Sequence, residues 1–414
     1  MPKTAMRLST ALIRPVRHGF LALSLAGLMG CGSVGSPGGS GVATTPAPDA
    51  AAASGTTGNK DAAGDIIIGV AVSLSSQRAN DGADVVAGVQ IAAADINRQG
   101  GLLGRRLQVV TADDGCGIAR AEDVARKLVA ANISLAIGHF CSVSTHAAAG
   151  IYAAHNIVEI TPASTSTSIT ELARLRHWTT LFRVTDSESE NGRFIARYFA
   201  RRYANRPIAF VHAGDMWSVT TARSFRAELQ DHGMSPVIDR SLSVSRTGLE
   251  DLISDLRHTK VAAVFLSGDA ADTGAVVRAI RDAGIGADVY GDAWIDDPAF
   301  RAAAGPASDG TRFGKPGTII NASLAPGLAG KYDGQSARHV GFAARGYAAI
   351  QSWAAGVTRA GSLDGPAVAA AMRQAPVDTA IGHLSWDDKG DLQTSLYRWY
   401  VWQGDAYRLD ERER

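Results

Sequence analysis

Residues 65–72 read Asp-Ile-Ile-Ile-Gly-Val-Ala-Val. Branched apolar side chains at successive positions suit a strand buried on both faces, as in a parallel sheet covered by helices. Directly downstream, Val85, Val89, Ala92 and Ile96 recur at helical spacing, and the run stops at Gly100-Gly101, a helix C-terminus signal. Residues 107–111 read as a strand, 121–131 as a helix, 133–137 as a strand, 144–155 as a helix and 157–160 as a strand. The alternation resumes with helix 191–203, strand 208–212, helix 221–232, strand 237–240, helix 248–258, strand 261–267 and helix 272–283. Repeated β-then-α order predicts an α/β fold of parallel sheets with covering helices. A chain of 414 residues exceeds what one core ordinarily fills, so two lobes are expected. Ligands of such sheets sit beyond the C-terminal ends of the strands, and the βα loops are where chemistry is sought.

Ahead of residue 65 the composition differs. Residues 32–64 are almost entirely Gly, Ser, Ala, Thr and Pro, too poor in apolar surface to offset ordering, and read as a flexible tether. Arg7, Arg14, Arg17 and His18 precede the apolar stretch 20–28, the layout of a targeting segment over residues 1–31. That segment ends Leu28-Met29-Gly30-Cys31, which resembles a bacterial lipobox. The resemblance implies cleavage before Cys31, lipid on its thiol, and a membrane-anchored lipoprotein on the exported, periplasmic side. The alternative is an ordinary secretory signal with a coincident Cys. After residue 31 no apolar run reaches the roughly 18 residues of a membrane span. Charged residues make up 20% and the net charge is +1, so no overall field gathers nucleic acid or an anionic membrane.

Two βα loops are rich in small hydroxyl residues. The first is Ile137-Gly-His-Phe-Cys-Ser-Val-Ser-Thr145; the second is Ile160-Thr-Pro-Ala-Ser-Thr-Ser166. Hydroxyls at a helix start leave backbone N–H groups and add O–H donors, which suits a carboxylate. Each loop alone is equally consistent with helix capping; two in succession can close around one anion. Nucleophile-elbow, phosphate-loop, dinucleotide and metal-spaced Cys/His patterns are absent, and no catalytic constellation or cofactor signature emerges. His139, His146 and His155 are expected on helix surfaces or at caps. The acid pairs Asp113-Asp114 and Asp387-Asp388 are expected in solvated turns.

Four motifs together carry a resemblance. They are Asp113-Asp114-Gly-Cys116, residues 138–145, residues 160–165, and Val377-Asp-Thr-Ala-Ile-Gly with Trp386-Asp-Asp-Lys-Gly-Asp-Leu392. In this order and spacing the chain resembles the leucine/isoleucine/valine-binding proteins of bacterial ABC importers, from about Asp65 to about Tyr407. The resemblance implies two doubly wound Rossmann-like lobes of the periplasmic binding protein type, a hinge of three crossovers and a ligand between the lobes. It assigns 65–184 and 313–391 to the N-terminal lobe, and 185–312 and 392–410 to the C-terminal lobe. It implies a binding protein without catalysis or cofactor, a small amino acid as ligand, and an ABC permease as partner. A sensory protein of the same fold, feeding a receptor or regulator, is the alternative.

By the same resemblance, Ser142 and Thr165, with the backbone at Ala163 and Ser164, hold the ligand's α-carboxylate and part of its ammonium. Trp217 stands where an aromatic closes over the ligand. Departures matter too. Where the family has a Glu for the ammonium this chain has Ala293, beside Asp292; where an aromatic is expected it has Asp269; and Asp81 replaces an aromatic of the side-chain pocket. The ammonium's partner is therefore expected at Asp269, with Asp292 second, unless Asp269 merely caps the helix after it. An amino acid is thus better supported than a purely aliphatic one. With Cys31 given to lipid, Cys116 and Cys141 remain, and the resemblance pairs them; two free buried thiols are the alternative.

The anchor is directly testable. Cys31→Ser is expected to abolish incorporation of a fatty acid analogue and to leave the precursor uncleaved; label retained by the variant identifies another acceptor.

Overall fold

The computed structural model describes residues 64–317, 320–332 and 337–411, so the expected signal segment, nearly all of the tether and Cys31 lie outside the described residues. The first strand, β1 (Ile66–Val72), is buried as its apolar run predicts: Ile66, Ile68, Val70 and Val72 have no exposure. It is followed by α1 (Ala79–Arg98), β2 (Leu107–Asp113), α2 (Ile118–Ala130), β3 (Leu135–Gly138), α3 (Ser142–Ala154), β4 (Val158–Thr161), α4 (Thr167–Leu175) and β5 (Leu181–Arg183). The strands pair in the order β2-β1-β3-β4-β5, all parallel, with Ile66 opposite Leu107 and Ile68 opposite Leu135. Strand order reverses between β1 and β3, so the loops leaving those strands diverge and open a crevice at the C-terminal sheet edge.

The second lobe repeats the plan. It is built from α5 (Glu188–Arg202), β6 (Ile208–His212), α6 (Met216–Asp231), β7 (Ile238–Ser241), α7 (Arg246–Thr259), β8 (Ala263–Ser267), α8 (Ala270–Asp282), β9 (Asp288–Gly291), α9 (Pro298–Ala304) and β10 (Arg312–Pro316). Its parallel order is β7-β6-β8-β9-β10, with the switch point between β6 and β8. The chain then returns to the first lobe through α10 (Pro326–Tyr332), α11 (Ala337–Ala360), α12 (Gly365–Gln374) and the hairpin β11 (Val377–Thr379) and β12 (Gly382–Leu384). Tyr347, Ile350 and Trp353 of α11 and Val368 and Met372 of α12 join the first-lobe core. Finally β13 (Tyr397–Gln403) and β14 (Ala406–Leu409) add antiparallel strands to the second sheet.

The chain therefore passes between lobes after β5, after β10 and before β13. Residues 313–316 pair within the second sheet, so they belong with it rather than with the first lobe as the expected boundary had them. Several helices also start ahead of their expected positions. Asp215 accepts the Ser218 N–H at 2.9 Å, Ser245 that of Gly248 at 3.1 Å and Asp269 that of Ala271 at 2.9 Å. These caps satisfy first-turn N–H groups before the apolar repeat begins, which periodicity alone does not register. Among the described residues no helix is long and apolar enough to cross a membrane.

The position of α11 is set by backbone contact. A Cβ at Gly88 of α1 would lie 1.9 Å from the Ala343 carbonyl oxygen, and one at Gly346 would lie 2.4 Å from that of Val85. Neither obstacle is a flexible side chain, so the helices must separate to admit even a methyl. Gly88→Ala is expected to destabilise the first lobe by about 1–3 kcal/mol through overpacking, read as a lowered melting temperature. An unchanged melt would show that the two helices are not held this closely.

Candidate functional site

The two hydroxyl-rich loops leave β3 and β4 side by side and are bonded into one unit. Thr161 donates its hydroxyl to the carbonyl of His139 at 2.8 Å; the hydroxyls of Thr145 and Ser164, hydrogen-bonded to each other at 2.7 Å, lie 3.2 and 3.1 Å from the same carbonyl, and one of them donates to it. The Ser166 N–H donates to the Ser142 hydroxyl oxygen at 3.3 Å, joining the start of α3 to the cap of α4. Ser142 thus keeps its own O–H to give, beside a depression of about 420 Å³ lined by Ile118, Val143, His146, Ser166 and Ser168. α3 has no side-chain cap, which leaves first-turn N–H groups for an anion.

The four expected carboxylate contacts are not equivalent. Ser164 is buried; its N–H is engaged by Thr161 Oγ1 at 3.0 Å and its carbonyl by Arg183 at 3.0 Å. It shapes the loop from within. Ala163 is half-buried against the core and turns its N–H weakly to Thr161, at 3.4 Å. Thr165 is half-buried and makes no side-chain hydrogen bond among the described residues, while its carbonyl accepts from the Glu188 N–H at 2.8 Å. Ser142 and Thr165 are therefore the pair with donors to spare. Asp81 is buried in the first turn of α1 with Arg78 at 3.4 Å.

In the second lobe the structure brings Trp217 and Asp292 together. Asp292 follows β9 and has no exposure; it accepts from Ser267 Oγ at 2.7 Å, from the Trp294 N–H at 3.0 Å and from Trp217 Nε1 at 3.3 Å. Burial pushes its carboxyl up to about 7, against the pull of these donors and with Asp215 adding to the rise. Trp217 lies in the first turn of α6 rather than in a loop, because Asp215 caps that helix ahead of it. Its ring meets Trp294 edge-on, centroids 6.1 Å apart, and Trp294 is 52% exposed. Asp269 is exposed and caps α8 through the Ala271 N–H. The buried carboxylate at this sheet edge is Asp292, and the exposed one is Asp269.

Other expectations need correction. His139 is fully buried, not a surface or capping residue: its Nδ1 lies 2.6 Å from Asp114 Oδ2 and its Nε2 3.4 Å from the Tyr152 hydroxyl. Asp114 is likewise buried, not solvated, and its Oδ1 accepts the Cys116 N–H at 2.8 Å. A polar residue in a βα loop reads as solvated only when its partner, here 25 positions away, goes unseen. Cys116 and Cys141 form a disulfide with Cα atoms 5.4 Å apart, tying the turn after β2 to the start of α3. Arg183 escaped sequence reading although a charge in the apolar run Leu181-Phe182-Arg183-Val184 is its signal; its Nη atoms donate to the carbonyls of Ser164 and Ser166 and to Thr170 Oγ1 at 2.9–3.1 Å. Among the described residues no group of three or more His, Cys, Asp or Glu could hold a metal ion.

The chain is similar to known proteins. The model of a family described as periplasmic binding protein matches residues 65–405. An amino acid binding protein of Pseudomonas aeruginosa is 31% identical over 346 residues, 82% of this chain and 90% of that protein. The Leu/Ile/Val-binding protein of Escherichia coli K12 is 29% identical over 86% of this chain and 95% of its own length. Among solved structures, an ABC transporter substrate-binding protein from Desulfitobacterium hafniense in complex with Leu superposes with a TM-score of 0.62 at 23% identity, covering 84% of this chain and 100% of that one.

Asp292 makes stability depend on pH. Between about pH 4 and 7 the unfolded chain has lost this proton while the folded chain still holds it, so raising the pH favours unfolding. Asp186, also pushed up to about 7 by burial, acts in the same direction. The ligand-free melting temperature is expected to fall from pH 4.5 to about 7, and Asp292→Asn to flatten part of that slope. A variant with the wild-type slope would remove Asp292 from the account.

Proposed function

The chain belongs to the periplasmic binding protein family, and from that premise we propose that it is an extracytoplasmic lipoprotein which takes an amino acid between its two lobes and delivers it to an ABC importer. The observation that carries the amino acid reading is the pairing of opposite chemistries at the C-terminal edges of the two sheets. The first-lobe edge offers Ser142, Thr165 and the uncapped start of α3, all donors suited to a carboxylate. The second-lobe edge offers Asp292 beneath Trp217, an anion suited to an ammonium. An α-amino acid presents both groups on one carbon and so spans the two edges. In this reading the N-terminal lobe is 65–184 with 317–391, and the C-terminal lobe is 185–316 with 392–410.

Closure follows from the distribution of contacts. Ligand seated on Ser142 and Thr165 shifts the open–closed balance only if it also touches the second lobe, since only contacts that differ between states shift populations. Asp292 is suited to that second contact: burial disfavours its charge, and an arriving ammonium restores it. Trp217, hydrogen-bonded to the same carboxylate, lies in the helix turn that would cover the ligand. The relatives' place in ABC transport supports the importer, and the Leu28-Met-Gly-Cys31 lipobox supports the anchor at Cys31.

Calorimetry with common amino acids tests the site. Asp292→Asn is expected to lose roughly 2–5 kcal/mol of affinity, whereas Asp269→Asn, which keeps a helix cap, changes it by a few tenths at about that scale. Ser142→Ala with Thr165→Ala is expected to weaken binding by roughly 2–5 kcal/mol with little change in the ligand-free melt. If Asp292→Asn binds as tightly as the parent, the ammonium is held elsewhere and the assignment fails.

A further inference from the structure

Arg345 is a cation that none of the contacts above employs. It projects from α11, the helix held against α1 at Gly88 and Gly346. Its guanidinium lies 5.4 Å from the ring of Phe342, one turn earlier on the same helix. Phe342 packs at 5.0 Å against Phe140, which stands two residues before Ser142 in the β3–α3 loop. On its other side Arg345 is near enough to Asp186, in the first crossover, to feel its charge, and it lies near Tyr397 at the start of β13. Arg345 thus lies between the loop proposed to hold the α-carboxylate and the crossovers that join the lobes.

Its donors are nevertheless idle. Arg345 is half-buried, and among the described residues it makes no hydrogen bond and no ion pair within 4.0 Å. Asp186 does not take it up: both oxygens of that carboxylate face the Leu396 N–H, at 3.1 and 3.2 Å. A guanidinium carries five N–H groups in a planar fork that matches a carboxylate. Phe342 backs the fork on one face, which fixes its plane and leaves the N–H edge to an incoming group. An aliphatic side chain placed here would waste those donors.

We propose that Arg345 is a specificity-determining residue that receives a second carboxylate on the ligand, so that the preferred solute is an amino acid with an acidic side chain. This inference rests on the amino acid reading above and adds the side-chain class to it. The α-carboxylate goes to Ser142 and Thr165, the ammonium to Asp292, and the side-chain carboxylate to Arg345 past Phe342. It also gives a reason for the departures from the aliphatic-binding pattern: the pocket is built for a polar side chain.

The test is calorimetric titration of the mature protein with glutamate, aspartate, glutamine and leucine, alongside its melting curve. The parent is expected to bind glutamate or aspartate more tightly than glutamine or leucine. Arg345→Met is expected to weaken binding of the acidic ligand by about 10–100-fold and to leave leucine and glutamine within about threefold. Arg345→Lys, which keeps the charge, is expected to retain part of the acidic preference, and decides the matter should the Met variant not fold. A parent that prefers leucine, or an Arg345→Met variant that weakens acidic and neutral ligands alike, overturns the inference and leaves the amino acid site standing. A folded parent that binds no amino acid overturns both.

Discussion

Arg183 sits at the end of β5 with no exposure, and much of the first lobe's functional edge is arranged around its charge. Two of its N–H donors hold the carbonyls of Ser164 and Ser166, fixing the β4–α4 loop from beneath. Its Nε stands 2.7 Å from Asp391 Oδ1, an ion pair whose geometry is not that of a hydrogen bond. Its own backbone is used as well: the N–H donates to the Gly390 carbonyl and the carbonyl accepts from Trp386 Nε1 at 2.8 Å. One side chain thus couples the β4–α4 loop to the segment leading into the third crossover. Burying such a charge is made tolerable by the Asp391 carboxylate and three hydrogen-bond acceptors around it; removing it would leave the Ser164 carbonyl unpaired and Asp391 with Lys389 alone.

The opposite logic governs the second lobe. There the buried group is an acid whose neighbours, Ser267, Trp217 and the Trp294 N–H, are neutral donors. They stabilise its anion partly but supply no counter-charge, and burial prevails. Within the proposed function, an incoming cation completes what the protein leaves unbalanced. The loop held by Arg183 has its charge matched before ligand arrives, and Asp292 does not. An ammonium at Asp292 then adds a second-lobe contact to those of the first lobe, which is the condition for driving a hinge rather than merely occupying a cleft.

The α/β alternation was legible because it depends on local pattern. Asp65–Val72 is apolar throughout, and the spacing of Val85, Val89, Ala92 and Ile96 admits only a helix face. The placing of Ser142 and Thr165 at helix starts after strands was legible for the same reason. What escaped depends on partners remote in sequence. Asp114 and His139 bury each other, which neither residue's surroundings announce. Asp269 and Asp292 both follow strands, and only packing separates the exposed cap from the buried acid. Arg345 lies in an alanine-rich helix, where its idle donors become visible only once its neighbours are placed.

The close approach of α1 and α11 has a bearing on how the molecule is made. The two helices touch backbone to backbone, yet Gly88 and Ala343 are far apart in the chain. The second sheet has the same property, since β10 waits for β13 to pair with it. A ribosome therefore delivers the β3–α3 and β4–α4 loops before α11, and the parallel strands of the second sheet before β13, so each core is completed by residues that follow β10.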